Sequence, residues 1–125
     1  MSLNEYLDQL RQALDQIDSY GFAESIEINQ EVRSGKQATI LIKVVLVDSS
    51  TLIIREYIDA QYKVEKLSYA YHYQAGDGNL IFRYDNAKHK PDLGYEEHKH
   101  TANGEIMHCE SPDISELVNE VIKCL

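Results

Sequence analysis

Between residues 24 and 85 the chain is written almost wholly in β-branched, aliphatic and aromatic runs cut by short turn signals. This segment limits the fold more than any other. The turn signals are Ser34-Gly35, Asp48-Ser49-Ser50, Asp59-Ala60-Gln61 and Gly76-Asp77-Gly78. Connections of about two to four residues are too short for a parallel crossover, so successive strands must pair antiparallel, giving a five-stranded meander. The stretch 40–47 is apolar on both faces except for Lys43, a pattern that predicts a strand at the sheet centre.

Amphipathic helices flank the meander. Leu3, Tyr6, Leu7, Leu10, Leu14 and Ile17 recur at steps of three, four and seven and line one helix face. Ser2 with Glu5 has the form of a capping box, and Gly21 is placed to end the helix near Tyr20. Near the other end, Ser111 and Pro112 predict a cap and a first-turn residue for a second helix, striped by Ile114, Leu117, Val118, Val121, Ile122 and Leu125. Between the meander and that helix lie an aperiodic loop after Asn86 and a further possible hairpin at Asn103-Gly104. A loop of this length in a compact domain is often functional. The expectation is one α+β domain over residues 1–125, with an N-terminal helix, an antiparallel five- to seven-stranded meander, a C-terminal helix, and both helices on one sheet face.

Twelve Lys and Arg against 21 Asp and Glu give a net charge of -9, which repels phosphate backbones unless a local patch reverses the field. The acids concentrate at the two ends. Residues 36–104 are neutral, with nine acids and nine bases, and hold His72, His89, His98 and His100. Imidazoles titrate near neutrality, so this stretch turns cationic on modest protonation. Cys109 and Cys124 form neither a disulfide framework nor a C-x-x-C pair, and they read as small hydrophobes. With a polar start to the chain and no long apolar stretch, neither a signal peptide nor a membrane span is predicted, and the expected location is cytoplasmic.

A two-residue type I′ turn at Asp77-Gly78 would set Tyr73 opposite Phe82, His72 opposite Arg83 and Tyr71 opposite Tyr84. Leu67, Tyr69, Tyr71, Tyr73, Leu80, Phe82 and Tyr84 then face the helices, while His72, Arg83 and Asp85 occupy the reverse face with Ala70 and Ile81 as fillers. In His98-Lys99-His100, strand alternation puts both imidazoles on one side and the ammonium on the other. Their partners depend on the next turn. A two-residue Asn103-Gly104 turn places His98 opposite Cys109, a partial soft-metal site; a three-residue loop with left-handed Gly104 places His98 opposite His108, a paired-imidazole site.

Arg83, Asp85, Lys88, His89, His98, Lys99 and His100 thus bring general acids, general bases and cations into a short length of chain. Metal-free RNA cleavage needs this set. A base removes the 2′-hydroxyl proton, an acid protonates the leaving 5′-oxygen, and a cation balances charge on the phosphorane. Asp85 would orient an Arg or His donor rather than transfer protons.

The run Tyr69-Ala70-Tyr71-His72-Tyr73-Gln74, the run from Gly78 through Asn86 and Ala87 with His89, and His98-Lys99-His100 together resemble the signature of the TumE family of toxins from prokaryotic toxin-antitoxin modules. The likeness covers residues 55–108 closely and the helices only by position. It implies a growth-inhibiting toxin, an RNA-cleaving activity, and a cognate antitoxin with a helix-turn-helix DNA-binding domain. By the motif, His72, Arg83, Asp85, His89, His98 and His100 are the catalytic candidates, and Asn86, Lys88 and Lys99 the substrate-binding ones. Lys88 and Lys90 beside His89, and Glu97 before His98, depart from the pattern, which has Pro after Asn-Ala, a second His beside the first, and His ahead of His-Lys-His.

No cofactor is implied, and a homodimer is compatible with the sequence. Two other function classes remain open. The chain could act as a non-catalytic module whose neutral patch binds a protein, a reading favoured by its charge; or as a metal-dependent hydrolase using His98 and His100 with Cys109 or His108. The plain reading of each polar residue stands beside these, with His72 and Arg83 a solvated cross-strand pair, the tyrosines core, and the acidic helices solvated faces.

Overall fold

Seven strands form one antiparallel sheet in simple chain order, β1 (Ala23–Arg33), β2 (Gln37–Leu46), β3 (Thr51–Asp59), β4 (Glu65–Gln74), β5 (Leu80–Asp85), β6 (His98–Thr101) and β7 (Ile106–His108). Helices α1 (Leu3–Ser19) and α2 (Ile114–Lys123) bracket them in sequence. This computed structural model describes residues 1–87 and 96–125; Lys88, His89 and Lys90 lie outside the described residues. No helix among the described residues is long and apolar enough to cross a membrane.

Alternation sends one set of strand side chains to a shared core with both helices. Ile42, Val44, Leu52, Ile54, Ile58, Tyr71 and Tyr73 from the sheet meet Leu10, Leu14 and Ile17 of α1 and Leu117, Val118 and Val121 of α2. Complete burial of each such aliphatic side chain contributes about 1.5–3 kcal/mol before entropy is counted. Among the described residues the opposite sheet face carries no helix.

Local chemistry ends each helix. Ser2 accepts from the Glu5 N–H at 3.1 Å, and a left-handed Gly21 lets its own N–H reach the Asp18 carbonyl while Phe22 N–H reaches that of Ile17. Asp113, rather than Ser111, caps α2: its carboxylate accepts from Glu116 N–H at 2.8 Å, and the Glu116 side chain accepts from Asp113 N–H in return. A reciprocal box satisfies two orphan donors where a lone serine satisfies one. Ser111 is drawn aside to the Lys66 ammonium.

Three further departures concern the sheet. Strand β2 is second from an edge, not central, and its second apolar set (Leu41, Val45) faces the open side, with Leu41 40% exposed. The β4–β5 loop is a type I turn followed by Gly78 at φ +90, so Gln74 falls opposite Leu80, one residue from the expected pairing. A bulge at Ile81 then restores the register, and Tyr73 pairs with Phe82, His72 with Arg83 and Tyr71 with Tyr84. Ile81 accordingly leans on the core. A second bulge, in the β3–β4 ladder, turns Leu67 out of the helix face, leaving it 46% exposed while Lys66 faces inward. At Asn103-Gly104 the loop has three residues with Gly104 at φ +87, which places His98 opposite His108.

Candidate functional site

Strand register alone assembles two rows across the open face. One runs Glu27, Lys43, Ile53, His72, Arg83, His100, Ile106; the next runs Asn29, Leu41, Arg55, Ala70, Asp85, His98, His108. His72, Arg83 and His100 are therefore direct cross-strand neighbours, an imidazole on each side of a guanidinium. Asp85 and His98 stand next to them.

Asp85 is the hub. Its Oδ2 accepts from Arg83 Nε at 2.8 Å, its Oδ1 accepts from Ala87 N–H at 3.0 Å, His98 Nε2 lies 2.6 Å from Oδ1, and His100 Nε2 lies 3.6 Å from Oδ2. Burial alone would raise this carboxyl, but the Arg83 bond, the Ala87 N–H and the charges of His98 and Arg83 outweigh it, and the group ionises below its ordinary value. A carboxylate only 4% exposed needs such partners, since stripping one from a buried pair costs roughly 3–5 kcal/mol.

The imidazoles are oriented from behind. His98, fully buried, is held at both ring nitrogens, Nδ1 lying 2.7 Å from the Glu96 carbonyl and Nε2 2.6 Å from Asp85 Oδ1. His72 Nδ1 lies 3.2 Å from Arg83 Nη1, which can only donate, and Nε2 lies 3.0 Å from Gln74 Oε1. That pattern selects the neutral tautomer with the proton on Nε2. His100, partly exposed, meets the His98 ring edge-on at 4.9 Å.

Beside this network the sheet curves around a cavity of about 700 Å³, lined in part by Leu41, Arg55, Tyr57, Leu67, Asp85 and Asn86. A smaller cleft of about 200 Å³ is lined by Ile53, Arg55, Ala70, His72, Gln74 and Arg83. Ala70 explains both: its short side chain, in register between Arg55 and Asp85, leaves a trough on that row. Among the described residues no carboxylate pairs with exposed Arg55.

Of the sequence candidates, His72, Arg83, Asp85, His98 and His100 converge here. Lys99 is turned to the helix side, where its Nζ bonds Glu120 at 2.8 Å and lies over the Tyr84 ring. Asn86 borders the cavity, but its amide is committed to backbone, accepting from Tyr69 N–H and donating to the Leu67 carbonyl. His89 and Lys88 fall outside the described residues. Glu97 serves as a brace, its Oε2 accepting from Tyr69 hydroxyl at 2.9 Å and Ser111 N–H at 2.7 Å. Arg55 and Gln74 escaped the sequence reading. The signal for Arg55 was present, since it alternates out of phase with Leu52, Ile54 and Ile58.

The fold and site define an open-faced α+β protein whose bare sheet surface holds a hydrogen-bonded carboxylate, guanidinium and imidazole cluster. The chain belongs to the TumE family: the family model described as toxin TumE matches residues 11–124, nearly its whole length. It is a toxin by family. No curated protein and no solved structure matches it significantly.

Proposed function

We propose that the toxin acts as a metal-independent endoribonuclease, with His72 and His100 as the two proton-transfer groups and Arg83 between them stabilising the phosphorane. The observation that carries this reading is the cross-strand row His72, Arg83, His100 on the open face. Neutral His72 suits one proton role and His100, facing Asp85, the other. Each such group is worth about 10² to 10⁴ in rate, and imidazoles serve because they titrate near the working pH. Asp85 and His98 are positioning residues that hold Arg83 and His100 in line. Arg55 supplies a second cation at the cavity, where a flanking nucleotide would lie, and this local charge offsets the net -9. The inhibitory partner is an antitoxin with a helix-turn-helix domain.

Purified protein incubated with RNA in excess chelator tests the assignment. Cleavage should persist, follow a bell-shaped pH profile, and disappear in His72→Ala and in His100→Ala. Equal cleavage by both variants marks a contaminant and sinks the reading, and undiminished growth inhibition by them would point instead to protein binding.

A further inference from the structure

The cluster used above offers a second chemistry. We propose that Asp85, His98 and His100 form a binding site for one divalent transition-metal ion of the Zn²⁺ class. One ligand atom from each of the three lies within 4.8 Å of the others. The donor set, two imidazole nitrogens and a carboxylate oxygen, is of the kind that holds zinc with an open position for water or substrate.

Backbone geometry presents these donors from one rigid corner. His98 and His100 alternate on β6, and Asp85 sits directly opposite His98 on β5. A tetrahedral ion with bonds of about 2.0–2.1 Å spaces its ligand atoms by about 3.3 Å, and the observed carboxylate-to-imidazole separations bracket that figure. They are 2.6 Å from Oδ1 to His98 Nε2 and 3.6 Å from Oδ2 to His100 Nε2.

The outer support is also of the metal-site kind. Metal-ligating imidazoles customarily donate their second nitrogen to a carbonyl or carboxylate, which fixes the ring, and His98 Nδ1 already does so to Glu96. Arg83 and Ala87 hold the carboxylate in the same way. His108 pairs with His98 in the backbone register on the edge strand, and Cys109 sits one residue beyond β7; neither belongs to the triad.

An ion here takes the Nε2 of His100 that proton transfer requires, so bound metal should inhibit cleavage; this clause rests on the proposed function. Calorimetric titration of Zn²⁺ into the chelator-treated and dialysed full chain reads binding without any activity assay, and Co²⁺ absorption reports the ligand geometry. One ion per chain is expected, with affinity lowered at least about tenfold in His100→Ala and unchanged in Cys109→Ser. His100→Ala is the deciding variant because Asp85 and His98 are buried, and its folding is checked by circular dichroism. Absence of saturable binding, or binding to His100→Ala equal to that of the parent, overturns the site. A chain that binds Zn²⁺ but cleaves no RNA sinks the nuclease reading alone; one that cleaves RNA in chelator and binds no Zn²⁺ sinks the metal site alone.

Discussion

Among the described residues two carboxylates are buried, Glu56 at 5% exposure and Asp85 at 4%, and the two sheet faces surround them with opposite kinds of partner. On the helix side Glu56 receives the hydroxyls of Tyr6 and Tyr71, and the chain of bonds continues through Lys66 and Ser111. Burial, reinforced by the Glu56 charge and hydrogen bonds, pushes both tyrosines far above their ordinary value, so they remain donors at any physiological pH. Asp85 has instead a guanidinium and two imidazoles as its partners. Equal burial therefore accompanies two different settings: hydroxyl donors tie the helix side together, and a guanidinium with two imidazoles surrounds the carboxylate on the other face, where the proposed reaction is placed.

Mutation of the two networks should separate rate from stability. His72→Ala or His100→Ala is expected to lower RNA cleavage by about 10² to 10⁴-fold while the melting temperature stays close to that of the parent. Comparable cleavage would erase the distinction between the faces. Tyr71→Phe should do the reverse, costing about 1–3 kcal/mol in urea denaturation, because it removes one of the two hydroxyls that Glu56 accepts and one of the acceptors of the Lys66 ammonium. Its cleavage per folded molecule should not change.

Titration sharpens the same contrast. Tyr6, Tyr69, Tyr71 and Tyr84 all have raised values, Tyr84 pushed up to about 12 by burial and its bond to Glu120. In the unfolded chain these hydroxyls ionise at their ordinary value of 10.0, so the folded state keeps protons that the unfolded state releases, and stability is lost as pH rises above 10. Lys66, lowered chiefly by burial, opposes this trend below its ordinary value of 10.5 but is one group against several tyrosines. Asp85 acts at the other end: its lowered value contributes stability above its ordinary value of 3.8 that disappears as pH falls through the folded value. Thermal melts across pH should show both limbs, and a flat alkaline limb would contradict the helix-side assignment. The smallest effect is expected for Arg55→Ala, with stability within about 0.5 kcal/mol and an RNA-binding salt slope lower by about 1.

What could be read in the residues follows from the range of the forces involved. Short turns exclude crossovers and alternation assigns faces, both within a few residues, so the meander, the two helices and the common side of His72, Arg83 and Asp85 were legible. The His72 and Arg83 pairing was reached through a turn of the wrong type, because the extra loop residue and the bulge at Ile81 cancel. At Leu67 no second change cancels the bulge, and the expected core residue faces outward.

Local pattern by itself determined the strand order, the core stripes of both helices apart from Leu125, which lies past α2 and is exposed, and the chemical types gathered near residues 72–100. Only the tertiary structure decided that Asp85 is the common partner of Arg83, His98 and His100, that Arg55 borders the same trough, and that Asp113 caps α2. Each depends on register between segments distant in sequence or on competition for a side chain, and neither is encoded in the periodicity of any one strand or helix.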